Sequence, residues 1–164
     1  MGLFKIKTPM SSEITAAMAI HDEFIYFIEI DDNNEVRRKI TVPLADGCIV
    51  NGQIKNFQLL GNAFSEIHKS IGKIHTPVSI GLPEGETIIR FPTFPDMSIE
   101  DIRGTLDLNF AEYFPYARED AVFDLVRIKT PDETHKNTIT VLAVAAKSQT
   151  VESILIAAHN AGIP

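Results

Sequence analysis

The sequence predicts an α+β protein made of two units, residues 1–83 and residues 84–164. Several short segments alternate apolar and polar residues, as half-buried strands do. Three longer segments repeat apolar residues every three or four positions, as amphipathic helices do. The run at residues 78–82 is rich in β-branched residues and bounded by prolines. We therefore expect it to be the central strand of the first unit, buried on both faces, and the link to the second unit.

The first unit is predicted to contain a meander of three antiparallel strands, a helix and the strand just described. A reversal at residues 21–23 and the turn formers of residues 31–34 separate the strands of the meander. Residues 43–52 are expected to form a loop, after which Asn56 caps a helix that Gly72 ends. The predicted strands of the meander are residues 14–20, 24–30 and 36–42.

The second unit is predicted to follow the order strand, helix, strand, strand, helix. Ser98 is expected to cap its first helix, and the prolines at positions 92 and 95 are expected to end its first strand. The predicted strands are residues 87–91, 121–128 and 138–145, with a polar loop at 129–137, and the helices are residues 98–114 and 150–162. The apolar faces of the two helices are Ile99, Ile102, Leu106, Phe110 and Tyr113 in the first, and Val151, Ile154, Leu155 and Ala158 in the second.

Composition and charge argue against several classes of function. The chain has a formal net charge of −7, whereas a nucleic-acid surface needs clustered Lys and Arg. The tight basic cluster at residues 37–39 falls in a predicted strand, where we interpret it as a solvated edge. The single cysteine, Cys48, excludes an intramolecular disulfide and fits a reducing compartment. No apolar run reaches the roughly 18 residues needed to span a bilayer.

The sequence contains no motif for catalysis or metal binding. Its five histidines show neither His-x-His nor His-Glu-x-x-His spacing, and it has no Gly-rich phosphate-binding or nucleophile motif. Glu112 and Asp124 are candidates for paired carboxylates, but exposed or capping roles in a small α+β unit explain them better. We predict neither a metal site nor a catalytic residue, and we expect an inert thiol at Cys48.

Six stretches of the sequence carry a family resemblance through their order and spacing. They are residues 44–54 (LADGCIVNGQI), 80–83 (IGLP), 109–115 (NFAEYFP), 123–125 (FDL), 144–147 (VAAK) and 161–164 (AGIP). Together they resemble the PilM family of type IV pilus assembly proteins, relatives of the division protein FtsA and of actin. The resemblance implies that the first unit is subdomain 1A, part of an actin-like (ribonuclease H-like) sheet. It implies that the second unit is an inserted, SHS2-like subdomain 1C.

The resemblance implies a non-enzymatic assembly protein of a type IV pilus machine. Such a protein lies in the cytoplasm, peripheral to the inner membrane, and recruits the N-terminal peptide of a PilN-like inner-membrane partner into the groove between 1A and 1C. Here the groove is expected at Asn51, Gly52, Gln53, Leu82 and Pro83, since an apolar groove with backbone donors suits a short extended segment. The alternative is that these residues only seal one unit on the other. Self-association is left open.

ATP with Mg²⁺ is the cofactor that the resemblance implies, but the sequence departs from the family at the phosphate loop between the first two strands. The family's aspartate, glycine and lysine fall on Ala19, His21 and Tyr26. Loss of the glycine removes the close approach of the backbone to a phosphate, and Asp22 and Glu23 add negative charge there. We therefore expect neither ATP binding nor ATP hydrolysis by this chain.

Two alternative functions are compatible with the same pattern. One is the cytoplasmic actin-like domain of a type II secretion L-type protein, and the other is a fragment of an actin-like ATPase. The three possibilities predict different sequences after Pro164. A secretion protein would continue into a transmembrane segment, an ATPase would continue into adenosine-site glycines, and the PilM family normally extends for about as many residues again.

Overall fold

The computed structural model describes residues 15–128 and 137–164. Ile14 and most of the predicted loop at 129–137 lie outside these ranges. The strands are β1 (Thr15–Ile20), β2 (Phe24–Ile30), β3 (Val36–Pro43), β4 (Ile49–Val50), β5 (Gln53–Ile54), β6 (Val78–Gly81), β7 (Thr87–Arg90), β8 (Thr93–Pro95), β9 (Ala121–Arg127) and β10 (Thr138–Lys147). The helices are α1 (Phe57–Ile71), α2 (Ile99–Leu108), α3 (Phe110–Tyr113) and α4 (Ser148–Asn160). Within the described ranges, no helix is long and apolar enough to cross a membrane.

The sheet of the first unit has the order β3-β2-β1-β6. The first three strands form the predicted antiparallel meander, and β6 pairs with β1 in parallel. Asn56 caps α1 as predicted, because its side chain accepts hydrogen bonds from the N–H groups of Gln58 and Leu59 at 3.0 and 3.1 Å. Gly72, with φ of 74°, ends the helix. Side chains of the sheet and α1 share one core, which includes Ile20, Ile25, Phe27, Leu60, Phe64 and Ile67.

Strand β6 lies at the edge of the sheet formed by the described residues, so the prediction of a central strand was wrong. Its side chains alternate: Val78 and Ile80 are half-buried against the first core, whereas Ser79 and Gly81 are exposed. The described helices cover one face of this sheet. A strand in that position needs apolar side chains only at every second residue, and β6 has small residues at the others.

The sheet of the second unit is centred on β10, with β9 on one side and β7 followed by β8 on the other. The predicted pairing of the last two strands is confirmed. The first strand, however, resumes after Pro92 in the same register against β10 rather than ending there. The carbonyl of Pro92 accepts a hydrogen bond from the N–H of Val141 at 3.1 Å. Proline lacks the N–H for the reciprocal bond, which accounts for the short interruption between β7 and β8.

Helices α2 and α3 cover one face of this second sheet. Ser98 caps α2 as predicted: its hydroxyl accepts a hydrogen bond from the N–H of Asp101 at 3.1 Å and donates one to the Asp101 carboxylate at 2.7 Å. The single helix predicted for residues 98–114 is interrupted at Asn109, whose φ of −110° and ψ of 30° depart from helical values. The resulting core is separate from the first and includes Ile102, Leu106, Phe110, Val141, Ala143 and Ala145.

Helix α4 belongs to the first unit by its contacts, whereas the sequence-based division placed it in the second unit, residues 84–164. It packs against α1, and Ile154 and Ala158 join the core of the first sheet. The second unit is therefore an insertion between β6 and α4. The predicted buried face of α4 also needs correction, because Leu155 is 41% exposed and Thr150 is buried instead.

Candidate binding cleft at the junction of the two units

An open cleft of about 860 Å³ lies where the first unit meets the start of the second. One wall consists of the reversal between β1 and β2, residues 19–24, together with Tyr26. The other wall consists of residues 81–84, which lead out of β6, and Thr87 at the start of β7. The cleft therefore joins the end of the first sheet to the link between the two units.

The reversal that forms the first wall is held in place by hydrogen bonds. The N–H of His21 donates to the carbonyl of Phe24 at 2.9 Å and closes the turn. The carboxylate of Asp22 accepts a hydrogen bond from the N–H of Gly52 at 3.1 Å, which ties the turn to the β4–β5 hairpin. These contacts fix the wall before any ligand arrives.

Three rings cluster on this wall of the cleft. The ring centroids of His21 and Tyr26 are 5.4 Å apart in an edge-to-face arrangement, and those of Phe24 and Tyr26 are 6.4 Å apart. Tyr26 is 46% exposed and Phe24 is 36% exposed. Exposed rings of this kind offer a ligand apolar contact area and a negative π face.

The cleft is also acidic. Asp22, Glu23 and Glu84 line it, and neither Lys nor Arg does so among the residues described. In that part of the chain the carboxylates of Glu23 and Glu84 have no ion-pair partner. Unpaired carboxylates repel the negatively charged oxygens of a polyphosphate. The side chains present therefore do not fit the triphosphate of ATP.

Five of the residues singled out from the sequence meet in this cleft. Ala19, His21 and Tyr26, the positions of the altered phosphate loop, line it together with Leu82 and Pro83 of the predicted groove. The sequence suggested two separate sites. They form one because the parallel pairing of β6 with β1 places the C-terminal ends of both strands side by side.

The other three predicted groove residues, Asn51, Gly52 and Gln53, do not line the cleft. Asn51 and Gly52, with φ of 53° and 70°, form the tight turn of the β4–β5 hairpin. This hairpin lies partly in the segment predicted to be a loop, although Asn-Gly is a strong hairpin signal that could have revealed it. The carbonyl of Gly52 accepts a hydrogen bond from the N–H of Gly85 at 3.1 Å. A Cβ on Gly52 would lie 2.9 Å from that nitrogen, so the turn packs tightly against the second unit.

Glu86 links three elements at the junction. One carboxylate oxygen accepts a hydrogen bond from the N–H of Ile54 at 2.7 Å, and the other accepts one from the hydroxyl of Thr150 at 3.2 Å. Strand β5, the turn before β7 and helix α4 therefore meet at one side chain. No local sequence pattern predicts this role of Glu86, because its partners lie far apart in the chain.

A second concavity, of about 1090 Å³, lies at the opposite end of the first sheet. Here Arg38 donates hydrogen bonds to both carboxylate oxygens of the buried Glu29, and its Nη1 donates to the carbonyl of Ile71 at 2.8 Å, at the end of α1. The hydrogen bond from Arg38 lowers the pKa of Glu29. The basic cluster at residues 37–39 is thus not only a solvated edge, as interpreted above, because Arg38 has a structural role.

The remaining groups considered for metal binding or catalysis are a possible metal cluster, the Cys48 thiol and the Asp124 carboxylate. In residues 15–128 and 137–164, no group of three or more His, Cys, Asp or Glu could hold a metal ion. The buried Cys48 thiol lies 3.7 Å from the carbonyl of Asn56, and burial raises its pKa. Asp124 forms an ion pair with Arg103 on α2.

The strand order of the first sheet, the inserted second unit and the cleft between them define an actin-like α+β domain. Residues 19–164 match the family model of the type IV pilus assembly protein PilM, and the chain belongs to this family. The resemblance found in the sequence is thereby confirmed. A search of curated proteins found no match.

The solved structures that share the fold include the following two. A chain of the PilM-PilN type IV pilus biogenesis complex matches with a TM-score of 0.73 and 16% identity, over 91% of this chain and 45% of that chain. The cytoplasmic domain of EpsL, an inner-membrane component of the type II secretion system of Vibrio cholerae, matches with a TM-score of 0.58 and 14% identity, over 93% of this chain and 54% of that chain. The chain therefore spans about half the length of these solved relatives.

Proposed function

We propose that this chain is a non-enzymatic scaffold of a type IV pilus machine, and that its cleft binds a short cytoplasmic segment of a PilN-type inner-membrane partner. The observation that carries the proposal is the cleft at the junction of the units. It combines the exposed rings of Phe24 and Tyr26 with the apolar side chains of Leu82 and Pro83. A groove of this composition suits an extended peptide.

The comparisons support the kind of partner proposed. The chain belongs to the PilM family, and one structure with the same fold was solved as a PilM-PilN complex. A scaffold that binds a PilN-type protein would lie in the cytoplasm, peripheral to the inner membrane through its partner. Gly81 is exposed at the end of β6, which lies at the edge of the sheet formed by the described residues, so a peptide can approach its backbone at the cleft.

Binding of the partner's N-terminal cytoplasmic peptide to the full chain tests the proposal. Tyr26→Ala should weaken binding by about tenfold or more, as expected for an exposed aromatic anchor of an interface. Val36→Ala is the matched control, because Val36 is also an exposed apolar side chain of this sheet but lies at its opposite end. Fluorescence anisotropy with a labelled peptide measures both. Equal affinities for wild type and Tyr26→Ala would contradict the cleft assignment.

We also propose that the chain neither binds nor hydrolyses ATP. Three carboxylates line the cleft without a Lys or Arg among the described residues, and the position of the family's phosphate-loop glycine is His21. A calorimetric titration with Mg-ATP should therefore give no binding isotherm. A dissociation constant of micromolar or tighter, about −8 kcal/mol, would overturn this expectation and favour an actin-like ATPase.

The match to EpsL favours a second candidate function, in which the chain is the cytoplasmic domain of a type II secretion protein of the L type. The family model and the higher TM-score favour the pilus function. Deletion of the gene separates the two. Loss of surface pili with normal protein secretion supports the proposal, whereas loss of secretion with normal piliation supports the alternative.

A further inference from the structure

We infer that the cleft recognises positive charge, and that it binds a Lys or Arg side chain of the partner's cytoplasmic segment between the rings of Phe24 and Tyr26 and the carboxylates of Glu23 and Glu84. The identity of the partner rests on the proposed function. The cation subsite itself rests only on the cleft, and it can be tested without the partner.

The two aromatic rings provide the first argument. Phe24 and Tyr26 are adjacent, exposed and part of the cleft wall. A guanidinium or ammonium group within about 6 Å of a ring centroid is attracted by the negative π face. The second unit already contains this contact, since Arg118 lies 4.8 Å from the ring centroid of Phe123. Among the described residues, no cation is stacked in this way on Phe24 or Tyr26.

The charge of the cleft provides a second, independent argument. Asp22 already accepts a hydrogen bond from the N–H of Gly52, but Glu23 and Glu84 have no ion-pair partner within the described residues. Neither Lys nor Arg of that part of the chain lines the cleft. A cationic side chain would complement both glutamates, whereas an acidic peptide or a phosphate would be repelled.

The combination of rings and carboxylates selects one chemistry. An apolar peptide alone would gain from the rings but would leave the carboxylates without a counter-charge. A bare metal ion would need several ligands held together, and no such group is present in residues 15–128 and 137–164. A Lys or Arg side chain has both a cation for the carboxylates and an apolar stem or planar face for the rings.

The first experiment tests the cation subsite directly. The isotopically labelled full chain is titrated with N-acetyl-arginine amide at millimolar concentration, with N-acetyl-citrulline amide as the control that keeps the shape and loses the charge. We expect the amide signals of residues 19–26 to shift with the arginine compound only. The double variant Glu23→Gln/Glu84→Gln should reduce these shifts, while Glu112→Gln/Glu152→Gln, which removes two charges outside the cleft, should not. Equal shifts with both compounds, or none with either, overturn the inference.

The second experiment tests recognition of the partner. Each Lys and Arg of the partner's cytoplasmic peptide is replaced in turn, Lys by norleucine and Arg by citrulline. One replacement should weaken binding to the wild-type chain by about threefold to tenfold, the range expected for exposed ionic and cation–π contacts. Its effect should largely disappear on Glu23→Gln/Glu84→Gln and in high salt. Binding that is insensitive to charge would overturn the inference and leave the proposed function standing. If the peptide does not bind but the arginine compound alone shifts the amide signals, the cation subsite stands and the proposed function is overturned.

Discussion

The two ends of the first sheet differ in how they use their charges. Both ends are concave, with volumes of about 860 and 1090 Å³, and both contain acidic side chains. At one end Glu29 is buried and held by Arg38, which also donates a hydrogen bond to the carbonyl of Ile71, the last residue of α1. At the other end Glu23 and Glu84 are exposed and lack ion-pair partners among the described residues. The two ends therefore differ in whether their carboxylates have ion-pair partners, not in how many charges they carry. The end with paired carboxylates is structural, and the end with unpaired carboxylates is the candidate binding end.

The largest effect should come from breaking the structural end. Arg38→Met leaves the carboxylate of Glu29 buried without its counter-charge, and we expect a loss of about 3 kcal/mol in the free energy of unfolding. Arg37→Met is the control, because Arg37 is exposed and its contact with Asp31 is long at 3.6 Å, so it should change stability by less than about 0.5 kcal/mol. Denaturant midpoints compare the two. Similar midpoints would show that the pair does not stabilise the fold.

The pH dependence of stability gives a second test of the Glu29–Arg38 pair. The hydrogen bond from Arg38 lowers the pKa of Glu29 from its ordinary value of 4.5 in the folded chain. The pair therefore contributes its stability above that value and loses it as the pH falls through the lowered pKa. Wild type should lose more stability than Arg38→Met on acidification below about pH 4.5. Parallel stability curves for the two proteins would contradict this assignment.

An intermediate effect is expected at the junction of the two units. Glu86→Ala removes the acceptor for the N–H of Ile54 and for the hydroxyl of Thr150, so we expect a loss of about 2 kcal/mol. Glu84→Ala is the matched control on the same short turn, and it should cost less than about 0.5 kcal/mol because its carboxylate is exposed and without an ion pair in the described structure. Thermal unfolding of the two variants measures the difference, and equal midpoints would argue against a clamp at Glu86.

The smallest effect on stability should come from the binding end. Glu23→Gln/Glu84→Gln removes two charges that stabilise no contact within the described residues, and it relieves repulsion in an acidic cleft. We expect the free energy of unfolding to stay within about 0.5 kcal/mol of wild type, or to rise slightly. A large loss, measured by denaturant unfolding, would show that these carboxylates are structural, as Glu29 is, and would remove the difference between the two ends.

Features that depend on neighbouring residues were predictable from the sequence. The caps at Asn56 and Ser98 depend on side chains that reach N–H groups two or three residues ahead. The meander was visible because its second strand is rich in aromatic and β-branched residues, its third strand interleaves polar residues, and its turns contain Asp and Asn. The family resemblance then supplied the inserted second unit, which no periodicity in the sequence could have revealed.

Features that depend on distant contacts were not predictable from the sequence. Arg38 donates a hydrogen bond to the carbonyl of Ile71 in α1, and Glu86 accepts one from the hydroxyl of Thr150. In both cases the two residues are far apart in the chain. Helix α4 joins the first core after the whole second unit has intervened. The sequence predicted the candidate site as two separate groups of residues. They line one cleft because the parallel pairing of β1 and β6 places Ala19 beside Gly81.

Site-specific photo-crosslinking tests the difference between the two ends most directly. A photoreactive phenylalanine analogue replaces Tyr26 in the cleft or, in a second protein, His75 in the opposite concavity. Each protein is irradiated with the partner's N-terminal cytoplasmic peptide, and the crosslinked residues are identified by mass spectrometry. We expect the peptide to crosslink at position 26 and not at position 75. Crosslinking at position 75 alone, or equally at both positions, would contradict the assignment of the cleft as the binding site.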